Sequence, residues 1–123
     1  MEFGVIMNNK WKAILLVTIS TVIAAFGQVL WKISSEAFSL TVEGTILNLP
    51  LIGGFVAHGI QLGLLVLALR RAELTIIYPI VSLGFVWVFI LSLLFFGEQI
   101  IIENWIGVFA IISGVVFITR AAK

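Results

Sequence analysis

Cysteine is absent from the chain, so disulfide pairing and thiolate chemistry are both excluded. One histidine and six scattered acids leave no cluster with metal-ligand spacing. Charge is scarce as well: only 11% of residues are charged, against roughly 25% in a soluble domain. That leaves too little polar surface to clothe a globule of 123 residues in water. The net charge of +1 gives no electrostatic footprint for nucleic acid. No nucleophile–base pair and no phosphate-cradling loop occurs, which argues against an enzyme and against any cofactor.

What is abundant is apolar. Hydrophobic residues make up 62% of the chain, and the mean hydropathy is +1.26. These values predict an integral membrane protein of the all-α class. A hydrocarbon core about 30 Å thick needs about 20 helical residues, and lipid offers an open backbone no hydrogen-bond partner. Four runs approach that length: Ala13–Ile33, Pro50–Leu69, Leu74–Phe96 and the shorter Trp105–Thr119. They predict one four-helix transmembrane domain over residues 1–123, built as sequential hairpins. The first run is longer than a signal peptide's apolar region, and no small-residue cleavage site follows it, so it reads as a retained span. The connection Ser34–Asn48 is the longest and has room for a short interfacial helix.

Basic residues set the expected orientation. Lys10, Lys12, Arg70, Arg71, Arg120 and Lys123 fall on one side of a four-span chain, and Lys32 alone falls on the other. This bias predicts both termini in the cytoplasm and a single topology.

Polar side chains inside a membrane are costly and are therefore candidates for function. Gln28 and Lys32 stand four residues apart and share a helix face. Gln28 reads either as an interhelical hydrogen-bonding group or as part of a substrate path. Lys32 reads either as a snorkelling end residue or as a grip on an anion, with Trp31 beside it suited to the headgroup level. Glu98 ends span three on the same side and is placed to pair with Lys32. His58 and Gln61 share a face of span two, as packing partners or as a polar or proton relay. Tyr78, Pro79 and Ser82 fall early in span three, where proline predicts a kink. Arg70 and Arg71 orient the chain and are also candidates for docking a lipid phosphate. Gly107, Ala110 and Gly114 mark a small-residue face of span four suited to close helix approach and dimerisation.

The segments "GQVLWK", "ELTIIYPIVSLGFVWVFILSLLFFGE" and "NWIGVFAIISGVVFI" together resemble the drug/metabolite transporter superfamily in its four-helix, EamA-like form. The resemblance spans nearly the whole chain except the first loop and both tips. Small multidrug resistance exporters share this layout, but their exchange chemistry depends on a glutamate three residues before the span-one glycine. Here Ala24 stands three residues before Gly27. The aminoarabinose-phosphoundecaprenol flippase subunits are closer. Gly27, Gln28 and Lys32 match their span-one pattern. Tyr78, Pro79, Ser82, Leu83, Phe85, Val86, Trp87 and Val88 match their span-three motif, and Trp105, Gly107, Val108 and Gly114 match the fourth span. Glu98 is also matched, whereas Gln99 stands where that branch often has proline.

The resemblance implies a small inner-membrane transporter that flips a polyprenyl-phosphate-linked sugar or similar anionic lipid between leaflets. Gln28, Lys32, Tyr78, Ser82 and Glu98 would be its binding residues on that resemblance, with Arg70 and Arg71 added by the charge reading above. Its partner would be a second copy or a similar small subunit. The alternatives are export of a small cationic or metabolite solute, for which His58 is the one titratable relay candidate, and an accessory role beside a larger membrane protein.

Overall fold

The structure, a computed structural model, describes residues 2–121. It is all-helical: α1 Glu2–Ala37, α2 Val42–Thr45, α3 Leu49–Leu69, α4 Leu74–Ser82, α5 Gly84–Phe96 and α6 Ile102–Ala121. Among the described residues, four helices are long and apolar enough to cross a membrane; α4 and α5 together make the third. α1 is longer than the run that announced it, with 36 residues and an axial length of about 54 Å. α6 starts three residues before Trp105, which brings the short fourth run to 20 residues.

The helices alternate in direction. A small cavity bounded by Lys10 of α1, Thr75 of α4 and Thr119 of α6 shows that these three ends lie together. At the opposite end, Lys32 of α1 meets Glu98, just past α5. Both ends of the described chain therefore lie at the end that carries Lys10, Lys12, Arg70, Arg71 and Arg120. Lys123 lies outside the described residues.

α1 is the central helix and packs mainly on α3, then on α5 and α4. Its buried stripe is Ala13, Val17, Thr21, Ala25 and Val29, one residue every fourth position. That spacing holds one face of a helix against its neighbours, and the small residues in it let α3 come close. Ala13 and Val17 join Ala68 and Ile77 in the buried apolar cluster at the terminal end. The hydroxyls of an apolar helix need acceptors, and α1 supplies them from its own backbone. Thr18 donates to Ile14 O at 2.8 Å, Ser20 to Val17 O at 2.7 Å and Thr21 to Thr18 O at 2.8 Å.

The 34–48 connection does contain a short helix, α2, whose N-cap Thr41 accepts from Gly44 N at 3.1 Å. Asn48 closes the connection. Its oxygen accepts from Leu51 N at 3.4 Å as the cap of α3, and its amide nitrogen donates to Ser34 O and Gly44 O at 3.0 and 3.2 Å. One buried amide thus ties together the end of α1, α2 and the start of α3.

The third span is interrupted at Leu83, not at Pro79 itself. Pro79 has no N–H to give. Ser82 Oγ donates to Pro79 O at 2.6 Å, while Leu83 N turns to Ile80 O at 3.0 Å in a tighter, 3₁₀-like step. The helix restarts at Gly84. It ends at Gly97, whose φ of 56° is a left-handed conformation that glycine adopts without Cβ strain, with its N–H bonded to Leu93 O at 3.2 Å.

Candidate lipid-headgroup site

The left-handed turn at Gly97 redirects the chain so that Glu98 reaches back over the end of the bundle. One carboxylate oxygen pairs with Lys32 Nζ, and the other accepts from Ser92 Oγ, one turn and a half earlier on α5. Lys32 Nζ also lies 4.4 Å from the centroid of the Phe96 ring, within cation–π range. Lys32 is therefore held in place by a carboxylate and an aromatic face, where free snorkelling would leave it mobile. Both charged side chains remain about half exposed, 47% and 46%. Screened in that way, the pair contributes little to stability, about 0–1 kcal/mol, and stays open to exchange.

These residues line a cavity of ≈ 280 Å³ together with Gln28, Val29 and Val88. A second cavity of ≈ 190 Å³ lies deeper between α1, α3, α4 and α5, and its polar lining is Thr21, Gln28, His58 and Gln61. Gln28 and Val88 belong to both, so the two are neighbours along one path. No acid among the described residues lines the deeper cavity, and Ala24 is part of its wall.

The wall between α1 and α3 is closely packed. The rings of Trp31 and His58 stack at 4.1 Å with 2° between their planes, and Phe55 meets Trp31 edge-on at 5.2 Å. Two glycines make the stack possible. A Cβ at Gly27 would stand 2.8 Å from His58 Cε1 and Nδ1, and one at Gly54 would run into the indole of Trp31. His58 Nδ1 lies 2.8 Å from Gly54 O. A carbonyl only accepts, so Nδ1 carries the proton, and in the neutral ring Nε2 is left as an acceptor. Trp31 is thus turned into the bundle against α3, where sequence position alone suited it to the headgroup level. Its Nε1 is shielded and has no partner among the described residues.

The structure therefore brings together Gln28, Lys32 and Glu98, and joins His58 and Gln61 to them through the deeper cavity. It separates the others. Arg70 and Arg71 line an open hollow with Glu73 and Thr75 at the far end of α3. α3 has 21 residues, so that hollow lies about 31 Å from the Lys32 end. Tyr78 is half exposed on α4, and Ser82 is committed to Pro79 O; neither lines the two cavities. Gly107, Ala110 and Gly114 are exposed on α6, and a Cβ at either glycine would meet nothing within 4 Å. Ser92, Thr21 and Asn48 are polar contributors that the sequence reading passed over. Their single signal was a hydroxyl or amide in or beside an apolar run.

The chain is 34% identical over 110 residues to an uncharacterized protein y4nH of Sinorhizobium fredii, covering 87% of this chain and 94% of that one. It is 30% identical over 110 residues to the probable 4-amino-4-deoxy-L-arabinose-phosphoundecaprenol flippase subunit ArnE of Salmonella typhi, covering 88% and 97%. The chain belongs to the ArnE flippase-subunit family. ArnE of Aeromonas salmonicida is 45% identical over a shorter stretch of 64 residues, 52% of this chain and 56% of that protein. No family model and no solved structure matches the chain. ArnE-type membership agrees with the resemblance drawn from the span-one and span-three motifs, and it places the chain among transporter subunits.

Proposed function

We propose that this chain is a subunit of an inner-membrane transporter that passes a polyprenyl-phosphate-linked sugar, or a similar anionic lipid, between leaflets. The observation that carries this reading is the Lys32–Glu98 pair at the mouth of two joined cavities in an otherwise apolar bundle. A phosphate entering the outer cavity meets an ammonium already fixed by Glu98 and Phe96, and a charge-assisted bond to phosphate competes directly with the one to carboxylate. Glu98 then acts as the counter-charge that occupies Lys32 between transport events, held in waiting by Ser92. The prenyl tail stays in lipid while the headgroup moves along the cavities. The names of the ArnE relatives, which specify an aminoarabinose-phosphoundecaprenol flippase, support the same class of cargo.

Orientation follows from charge. The end that bears Arg70, Arg71, Lys10, Lys12 and Arg120 faces the cytoplasm, with both termini there, and Lys32 faces outward. Arg70 and Arg71 receive the phosphate in the inner leaflet. At about 31 Å from Lys32, they act before it and never on the same headgroup at once.

The relatives are named as subunits, and the open small-residue face of α6 suits a second four-helix chain, either a copy of this one or a similar partner. Translocation of a fluorescent polyprenyl-phosphate sugar in proteoliposomes tests the proposal. Wild-type protein speeds flipping and Lys32→Ala abolishes the gain; undiminished flipping by Lys32→Ala removes Lys32 from the mechanism.

A further inference from the structure

The deeper cavity has a chemistry of its own. We infer that it is a subsite for a single sugar ring, recognised through its hydroxyls by Thr21, Gln28, His58 and Gln61. This rests on the lipid-transport reading above and specifies how the headgroup lies: phosphate at Lys32, sugar one turn and more farther into the bundle.

Several observations converge on the ring. The cavity's four polar groups are of mixed hydrogen-bonding character, and no lysine, arginine or carboxylate is among them. Two are amides that both donate and accept. The third is His58, whose Nδ1 proton is spent on Gly54 O, so that in the neutral ring Nε2 accepts from a hydroxyl. The fourth is Thr21, whose own proton is spent on Thr18 O and whose oxygen still accepts. Ring hydroxyls both donate and accept, and so match this set. A phosphate, which only accepts, finds the two amides as donors there and no lysine or arginine to pair with. A buried charge without a partner is costly, so the anion stays in the outer cavity beside Lys32.

Spacing agrees as well. Gln28 belongs to both cavities and precedes Lys32 by one turn, about 6 Å along the axis. That is comparable with the separation of a phosphate from the far hydroxyls of the ring it esterifies. Size agrees with one ring: the cavity holds ≈ 190 Å³, below the roughly 300–1,000 Å³ of pockets for drug-sized ligands. His58, stacked on Trp31 and seated against Gly27, forms the α3 side of the cavity.

Binding measured by native mass spectrometry on the purified full chain tests this. The probes are undecaprenyl phosphate alone, the same lipid carrying glucose or 4-amino-4-deoxyarabinose, and a disaccharide-linked form. Wild-type protein should bind at least one monosaccharide lipid more tightly than the bare lipid, and the disaccharide form no better than the bare lipid. Gln61→Leu, and independently the near-isosteric Thr21→Val, should each cut that preference roughly tenfold while leaving bare-lipid affinity unchanged. Lys32→Gln should weaken all the lipids together. A wild-type chain that binds all forms equally overturns the sugar subsite and leaves the anion site standing. So do variants that weaken bare and glycosylated lipid alike. A chain that binds none of the lipids overturns the transport reading and the subsite with it.

Discussion

Lys32 at the end of α1 and Glu98 just past α5 close an ion pair over the mouth of the cavity that also contains Gln28. Residues 66 positions apart are brought together because Gly97 adopts a left-handed turn that α5 could not otherwise make. The pair is half exposed and so exchangeable, a property suited to a site that must bind and then release an anion. Replacing Glu98 with glutamine should therefore free Lys32. Glu98→Gln is expected to bind bare undecaprenyl phosphate several-fold more tightly and to release it more slowly, because a competitor for the ammonium has gone. Titration by native mass spectrometry checks this, and unchanged affinity would show that Glu98 does not compete with the lipid.

The Trp31–His58 stack depends on glycines whose Cβ positions are filled by the rings. Gly27→Ala places a methyl 2.8 Å from the imidazole, and overpacking of this kind costs about 1–3 kcal/mol. Thermal unfolding in detergent should show a clear fall. Gly84→Ala is the contrast, since its added methyl would stand 3.6 Å from Thr21 Cβ, at ordinary contact distance. It should be neutral or mildly stabilising, as alanine is favoured over glycine in a helix by about 0.5–1 kcal/mol. Equal losses in both variants would mean that the α1–α3 interface is looser than the stack implies.

How far these features were legible depended on how local their causes are. Gln28 and Lys32 were readable as one face from their spacing, and Glu98 as a partner from the alternation of helix directions. Four apolar helices followed from lipid's lack of hydrogen-bond partners. The inward turn of Trp31 was not readable, because it requires Gly54 to stand opposite Trp31 and Gly27 opposite His58, on two different helices. Asn48 was hidden for a similar reason: it caps α3, which is a local role, but it also bonds Ser34 O fourteen residues away. The third span is interrupted at Leu83, four residues after Pro79, where Ser82 Oγ takes the proline's carbonyl and Leu83 N bonds Ile80 O.

α6 has no buried residue among those described, and its glycines look onto open space. Gly107→Leu and Gly114→Leu should therefore leave the thermal stability of the isolated chain within about 0.5 kcal/mol of the wild type. The same variants should lower the fraction of dimer seen by cross-linking in membranes. Dimer formation that survives both substitutions would assign the contact to another face.

The lack of cysteine makes orientation directly measurable. Single cysteines at Ala72, beside the arginines, and at Ser35, beside Lys32, should label in opposite senses with an impermeant maleimide. Ala72→Cys is expected to react only in inverted vesicles and Ser35→Cys only in intact cells. Both positions reacting in both preparations would indicate dual topology and contradict the charge argument.

In the proposed function the Lys32 end of this bundle grips a polyprenyl-phosphate headgroup. The most direct measurement is mass spectrometry of the lipids that co-purify with the chain, compared between wild type and Lys32→Gln. A polyprenyl-phosphate sugar should co-purify with the wild type and be lost from the variant. Bulk phospholipids alone, or the same polyprenyl species in both samples, would contradict it.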